Sequence, residues 1–250
     1  MNKTVIILAL LALLVASGCS KMERNEKKYL KGIQSENYEE SNNALNDFCK
    51  WLQTDKKTMS YDFALMKERM GMKVVTSPDS LLKCYSWKTV ETENSEAYAC
   101  VMQWMAGDRF IAYRGPLDDL LARRQATIKN QTSLAHSIDT IYEIRTGNIP
   151  VYLISQSYTS NKGKRRAYIT AAFFNGLSPQ VMPFFFDGVD IAGNSEFKVQ
   201  PGITTGDLFK WDEKSNRLYV YQTDDKNRLI TGEYIVYQLD SNRLKRLADQ

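Results

Sequence analysis

Few residues in this 250-residue chain are of the types that drive hydrolysis or hold metals, and their spacing narrows what they can do. His136 is the only histidine. A multi-histidine metal site is therefore excluded, and any Ser-His-Asp triad has to pass through that one residue. Its setting, "SLAHSIDTI", reads as the approach to a strand, where a histidine more often serves packing than catalysis. Neither G-x-S-x-G nor H-E-x-x-H occurs. Asp187, Asp190 and Asn194 in "FDGVDIAGN" are hard oxygen ligands of the kind that suit Ca²⁺. The alternating ligands and closing glutamate of an EF-hand loop are missing, so the segment reads as a Gly/Asp loop. No metal and no cofactor is expected.

The cysteines suggest covalent chemistry instead. No C-x-x-C or C-x-x-C-H is present, which leaves redox, zinc and c-haem readings without support. Cys84 and Cys100 stand symmetrically about residue 92 in "CYSWKTVETENSEAYAC". Strands at 81–88 and 97–105 would face the two thiols across a hairpin, the geometry a disulfide requires. A bridge using Cys49, or three reduced thiols, are the alternatives.

Ser80-x-x-Lys83 and Ser195-x-x-Lys198 are similar to the S-x-x-K element of penicillin-recognising enzymes, where a lysine helps activate the serine. Arg145-Thr146-Gly147 echoes the K-T-G strand of that family, but no S-D-N element is present and neither serine clearly opens a helix. A hydrolase is therefore the rival reading and not the leading one.

The chain begins "MNKTVIILALLALLVASGCS": one cation at Lys3, an apolar run from Val5 to Ala16, then small residues. That run falls short of the roughly 20 residues a membrane-spanning helix needs and has the pattern of a secretory signal. Val15-Ala16-Ser17-Gly18-Cys19 resembles the bacterial lipobox, with Ala16 where leucine is usual. The resemblance implies cleavage before Cys19, lipidation of its thiol and a membrane anchor. Two or three acyl chains at ~0.8 kcal/mol per buried CH₂ make such an anchor effectively permanent. Residues 1–18 are thus expected as a signal peptide, and 19–34 as a lipid-anchored flexible tether. No acidic residue directly follows Cys19. The expected location is the cell envelope, at the outer membrane, on its periplasmic face rather than the cell surface.

The net charge is +4, and +3 once Lys3 leaves with the signal, which is no electrostatic footprint for nucleic acid. Expected partners are the membrane, through the lipid, and a glycan, peptide or envelope protein. Asp79-Ser80-Leu81 and Asp139-Thr140-Ile141 resemble the O-glycan acceptor of Bacteroidota envelope proteins, which implies Ser80 and Thr140 as modification sites. The Ser77-Pro78-Asp79 turn resembles the openings of propeller-like blades and of envelope lipoproteins from that phylum.

The elements that must position these residues change type along the chain. Residues 35–72 read as helical: Leu45, Phe48, Cys49 and Leu52 share one face of a helix over 36–53 that Ser35 would cap. A second helix over 60–70 ends near Gly71, its methionines filling core. From 73 to 250 the pattern is strands, interrupted by a helix expected at 116–128 behind Pro116. A hairpin is expected about "SNKG" (160–163), and a short edge strand at "VMPFFF" (181–186).

Asn-Arg-Leu recurs at 216, 227 and 242, each time after an aspartate. Aspartate opens turns and asparagine tolerates the left-handed position that ends them, so the triplet reads as punctuation of a four-stranded meander. Leu218, Val220 and Leu229 should then be buried, with Arg217, Arg228 and Arg243 in water. Trp211, Tyr219, Tyr221 and Tyr237 would form either a platform that stacks on a ligand or a buried aromatic layer.

The fold class expected is α+β and mostly β. A short N-terminal helical segment would pack on an antiparallel β meander, a curled sheet that is barrel-like or partly propeller-like. The function expected is that of a lipid-anchored envelope protein, non-catalytic, binding a glycan, peptide or partner protein. A purely structural envelope component is the third possibility.

Overall fold

The computed structural model describes residues 21–92, 95–115, 137–147, 149–159, 164–182, 195–198, 208–223 and 229–247. The chain divides between Met72 and Lys73 into two compact units. Among the described residues there are three α-helices, all in the first unit, and three antiparallel sheets, all in the second. The mostly β, α+β expectation therefore holds. No helix is long and apolar enough to cross a membrane among the described residues.

The segment expected as a flexible tether is instead helical: residues 21–33 form helix α1. Met22, Glu26, Tyr29 and Leu30 are buried, a spacing that puts them on one helical face. That stripe escapes a reading by hydropathy because a glutamate occupies its second position. The acid is satisfied internally. Glu26 accepts from the Tyr61 hydroxyl at 2.7 Å and from the Met66 backbone N–H at 2.8 Å.

Helix α2 spans Tyr38–Thr54 and buries Leu45, Phe48, Trp51 and Leu52, while Cys49 is only half-buried. Its N-cap is Asn37 rather than Ser35, with the Asn37 side chain accepting from the Glu39 and Glu40 N–H groups. The Ser35 hydroxyl donates to Glu40. A 3₁₀ turn, Lys56–Met59, leads to α3, Ala64–Met70, which stops at Gly71 in the left-handed region (φ 64°). Met66 and Met72 are buried, as expected of core filler, whereas Met59 and Met70 are half-buried.

Tyr29, Phe48, Trp51, Tyr61 and Phe63 pack ring against ring, with Tyr29 and Trp51 stacked at 5.2 Å. Gly32 lets α1 approach α2, since a Cβ there would meet Cβ of Ala44 at 2.5 Å.

The β unit is three up-and-down meanders in sequence order. The first sheet joins β1 (Lys73–Thr76), β2 (Leu82–Thr92), β3 (Ser95–Ala106) and β4 (Arg109–Arg114). The second joins β5 (Ser137–Thr146), β6 (Ile149–Thr159), β7 (Lys164–Phe173) and β8 (Gln180–Val181). In it β9 (Ser195–Lys198) pairs with the other end of β7. The third joins β10 (Phe209–Asp212), β11 (Arg217–Thr223), β12 (Leu229–Asp240) and β13 (Arg243–Arg246).

The second sheet is the centre of the stack. Tyr152 and Ile154 pack with Cys84, Met102 and Trp104 of the first sheet. Val151 and Leu153, on the opposite face by strand alternation, pack with Phe209, Leu218 and Val220 of the third. Polar contacts bind the layers as well. Tyr152 donates to Asp79 at 2.7 Å, the Ile138 N–H to Ser86 Oγ at 3.1 Å, and the Trp104 indole to the Gly176 carbonyl at 3.0 Å. Tyr142 donates to the Phe209 carbonyl.

Two of the Asp-to-Asn segments are turns. In Asp212-Glu213-Lys214-Ser215-Asn216, Asp212 accepts from Lys214 N–H and the Ser215 hydroxyl, and Asn216 takes φ 51°. At Asp240-Ser241-Asn242 the left-handed residue is Ser241 (φ 55°), not the asparagine. The loop there has two residues, since Asp240 pairs directly with Arg243, and the positive φ falls on the first of them. The helix expected at 116–128, His136, the 160–163 turn, the 186–194 loop and the turn at 224–227 lie outside the described residues. So do most of "VMPFFF" and the lipobox with Cys19.

Candidate binding face

The third sheet turns one face to the core and one away from it. Leu218 and Val220 are fully buried, as expected, and Arg217 and Arg243 are exposed. Register then decides where the aromatic residues go. Trp211 and Tyr237 both pair with Leu218, so both lie on its core side. Tyr237 is 3% exposed, and burial pushes its hydroxyl above the ordinary tyrosine range. Trp211 packs against the same core, and its indole N–H has no acceptor among the described residues.

The four-residue platform is therefore split into two pairs. Tyr219 and Tyr221 lie on the other face, half-buried, and gain a partner absent from the sequence reading. Tyr234 sits directly opposite Tyr221. Its ring meets Tyr221 at 5.3 Å and Tyr219 at 5.8 Å, both edge to face. Tyr221 also packs in part against the core.

Tyr234 was hidden by an irregularity. Thr223 pairs with Leu229, and counting evenly from there sets Tyr234 opposite Leu218, on the core side. The register shifts between Tyr221 and Thr223, which brings Tyr237 there and turns Tyr234 outward.

Beside the tyrosines run two further rows. Lys210, Tyr219 and Val236 are cross-strand neighbours, and beyond them lie Asp212, Arg217, Gln238 and Lys245, one from each strand. Arg217 Nε donates to Gln238 Oε1 at 2.9 Å, and the Gln238 amide donates to the Ser215 and Asn216 carbonyls. The result is an aromatic strip bounded by charged and amide groups on a four-stranded sheet. Such a surface can stack on an extended ligand and hydrogen-bond its edge.

The remaining sequence candidates fall elsewhere. The β2–β3 hairpin forms, but its strands run on through the expected loop to Thr92 and Ser95. Cys84 therefore pairs with Met102 and Cys100 with Ser86. The two cysteines are diagonal neighbours on one buried face and neither is in a disulfide, so the expected bridge is not made. Burial holds the Cys84 thiol well above its usual range, with Cys100 adding to the shift.

Ser80 sits exposed and left-handed (φ 61°) in the turn before β2, whereas Thr140 is half-buried within β5. Lys83 is buried on the strand that follows, its Nζ 5.6 Å from the centre of the Tyr85 ring. Asp79 is committed to the turn, accepting from Ser77 Oγ and Leu81 N–H as well as from Tyr152. That bond and burial raise the Tyr152 hydroxyl far above its ordinary value, burial being the larger cause. No cluster of three or more metal-ligating side chains occurs among the described residues.

Comparison with protein-family models, with curated proteins and with solved structures returned no match.

Proposed function

We propose that this chain is a lipid-anchored protein of the bacterial cell envelope, similar to Bacteroidota envelope lipoproteins. Its third β-sheet would bind an extended glycan or peptide, free or displayed by a partner protein. The anchoring part rests on the sequence from Val15 to Cys19, and the outer-membrane, periplasmic-face placement rests on the absence of an acid after Cys19. The binding part rests on one observation: Tyr219, Tyr221 and Tyr234 form a half-exposed aromatic strip on the sheet face turned from the core. Three consecutive meanders, the central one covered on both faces, support a partial-propeller description of the β unit.

Two variants test the two parts separately. Cys19→Ala should leave an unprocessed or soluble form that no longer partitions into detergent. Normal membrane retention would remove the anchoring claim. Tyr219→Ala with Tyr234→Ala should abolish retention on immobilised envelope glycans or peptides while the protein still unfolds in one cooperative thermal transition. A double variant that binds as the parent does would remove the binding claim.

A further inference from the structure

A cleft of about 410 Å³ opens in the helical unit between the α1 segment at residues 21–25 and the end of α2. Lys21, Met22, Asn25, Trp51, Thr54, Asp55 and Lys57 line it. Its chemistry is lopsided. The Thr54 hydroxyl is used up on the Lys50 carbonyl at 2.9 Å, and Asp55 Oδ1 accepts the Lys57 backbone N–H at 3.2 Å. What is left are two ammonium groups without a carboxylate within ion-pair distance among the described residues, the Asn25 amide, and the second oxygen of Asp55, so the cationic groups outnumber the single carboxylate.

The fourth donor is the indole of Trp51, which is 5% exposed. Its N–H is buried with no acceptor among the described residues. A buried N–H without a partner costs about 1–3 kcal/mol, so such a group on a side chain that lines an open cleft marks a place where an acceptor belongs.

We propose that this cleft binds a phosphate group, with Lys21 and Lys57 neutralising its charge and the Trp51 indole N–H donating to one of its oxygens. Charge-assisted hydrogen bonds from ammonium to phosphate are the strong kind, and two flexible lysines accommodate a tetrahedral oxyanion without the planar fork of arginine. The phosphate could belong to a phospholipid headgroup or to a free phosphoester. The first source rests on anchoring at Cys19, which would hold residue 21 at the bilayer surface, and the second does not.

The test follows the Trp51 indole N–H resonance of the full chain in a neutral, phosphate-free detergent, identified by its loss in Trp51→Phe. Glycerol phosphate should move it saturably, and chloride at equal ionic strength should not. Lys21→Gln with Lys57→Gln should weaken the response at least about tenfold while leaving the indole resonances of Trp87, Trp104 and Trp211 in place. Micelles doped with phosphatidylglycerol separate the sources. Saturation by glycerol phosphate assigns a free phosphoester, and a response confined to phosphatidylglycerol assigns a headgroup. No saturable shift with either, or an undiminished shift in the double-lysine variant, overturns the proposal. Because the glycerol phosphate arm needs no anchor, its outcome is independent of the Cys19 fractionation.

Discussion

Cys84 and Cys100 share one buried face of a hairpin, two residues out of direct register. A thiol whose pKa burial has raised is protonated at pH 8 more fully than a free cysteine, and the protonated thiol does not attack disulfides. In the native protein a disulfide reagent should therefore titrate half-buried Cys49 well before either hairpin thiol. All three should react once the chain is unfolded in denaturant without reductant. Recovery of only one thiol under those conditions would mean a bridge and a different register. Asp240 makes the opposite shift. A hydrogen bond from the Lys245 ammonium, aided by its charge, lowers the Asp240 carboxyl below its ordinary range. Its contribution to the β12–β13 turn is thus present above the unfolded value of ~3.9 and is lost as pH falls through the lower folded value. A carboxyl NMR titration should show that depressed midpoint in the native protein, and Lys245→Gln should return it toward the ordinary value.

Helix α3 is short and starts badly: Phe63, at its N-cap, has a positive φ of 57° and offers no side-chain cap. Glu26, from another helix, caps it instead by accepting the Met66 N–H. Removing the acceptor strands both that N–H and the Tyr61 hydroxyl. Glu26→Ala should cost about 2–4 kcal/mol, read as a lower denaturation midpoint, and Glu26→Gln distinctly less because one carbonyl acceptor survives. Equal stability of Glu26→Ala and the parent would show that the bond carries no weight. The same residue explains what the sequence kept back. The helix of 36–53 was legible from Leu45, Phe48 and Leu52 because their spacing is apolar throughout. In α1 the equally regular Met22, Glu26, Tyr29 and Leu30 contain a charge, whose burial makes sense only once Tyr61 and Met66 are beside it. Strands were legible in the same way, from alternation and turn residues. Register was not, since the shifts after Tyr221 and between Lys88 and Val90 leave no mark in residue types. Both the Cys84–Cys100 pairing and the choice between an aromatic platform and a buried layer depended on register, which sets the cysteines diagonally and divides the four aromatics between the two faces.

The three sheets divide the labour of the β unit. The second is buried on both faces, and Leu153 lies wholly within its contact with the third. Leu153→Ala should cost about 2–5 kcal/mol by transfer and cavity terms together. Tyr219→Ala, on the half-exposed outer face, should cost roughly half of that or less. Chemical denaturation of both variants checks the ordering, and a larger loss for Tyr219 would make the aromatic strip a part of the core.

Each sheet is cut from a single stretch of chain: Lys73–Arg114, then Ser137–Lys198, then Phe209–Arg246. Strand pairing inside each is therefore local and fast to form, while the faces between sheets close only when the next stretch arrives. A chain delivered N-terminus first completes its central layer while Val151, Leu153 and Ile169 still face solvent. Until Phe209, Leu218 and Val220 cover it, that layer is an adhesive surface open to neighbouring chains. The segment Phe209–Arg246 thus acts as a shield for the central layer as well as carrying the proposed binding face. A chain stopped before it should precipitate, where point changes on its outer face leave a soluble protein.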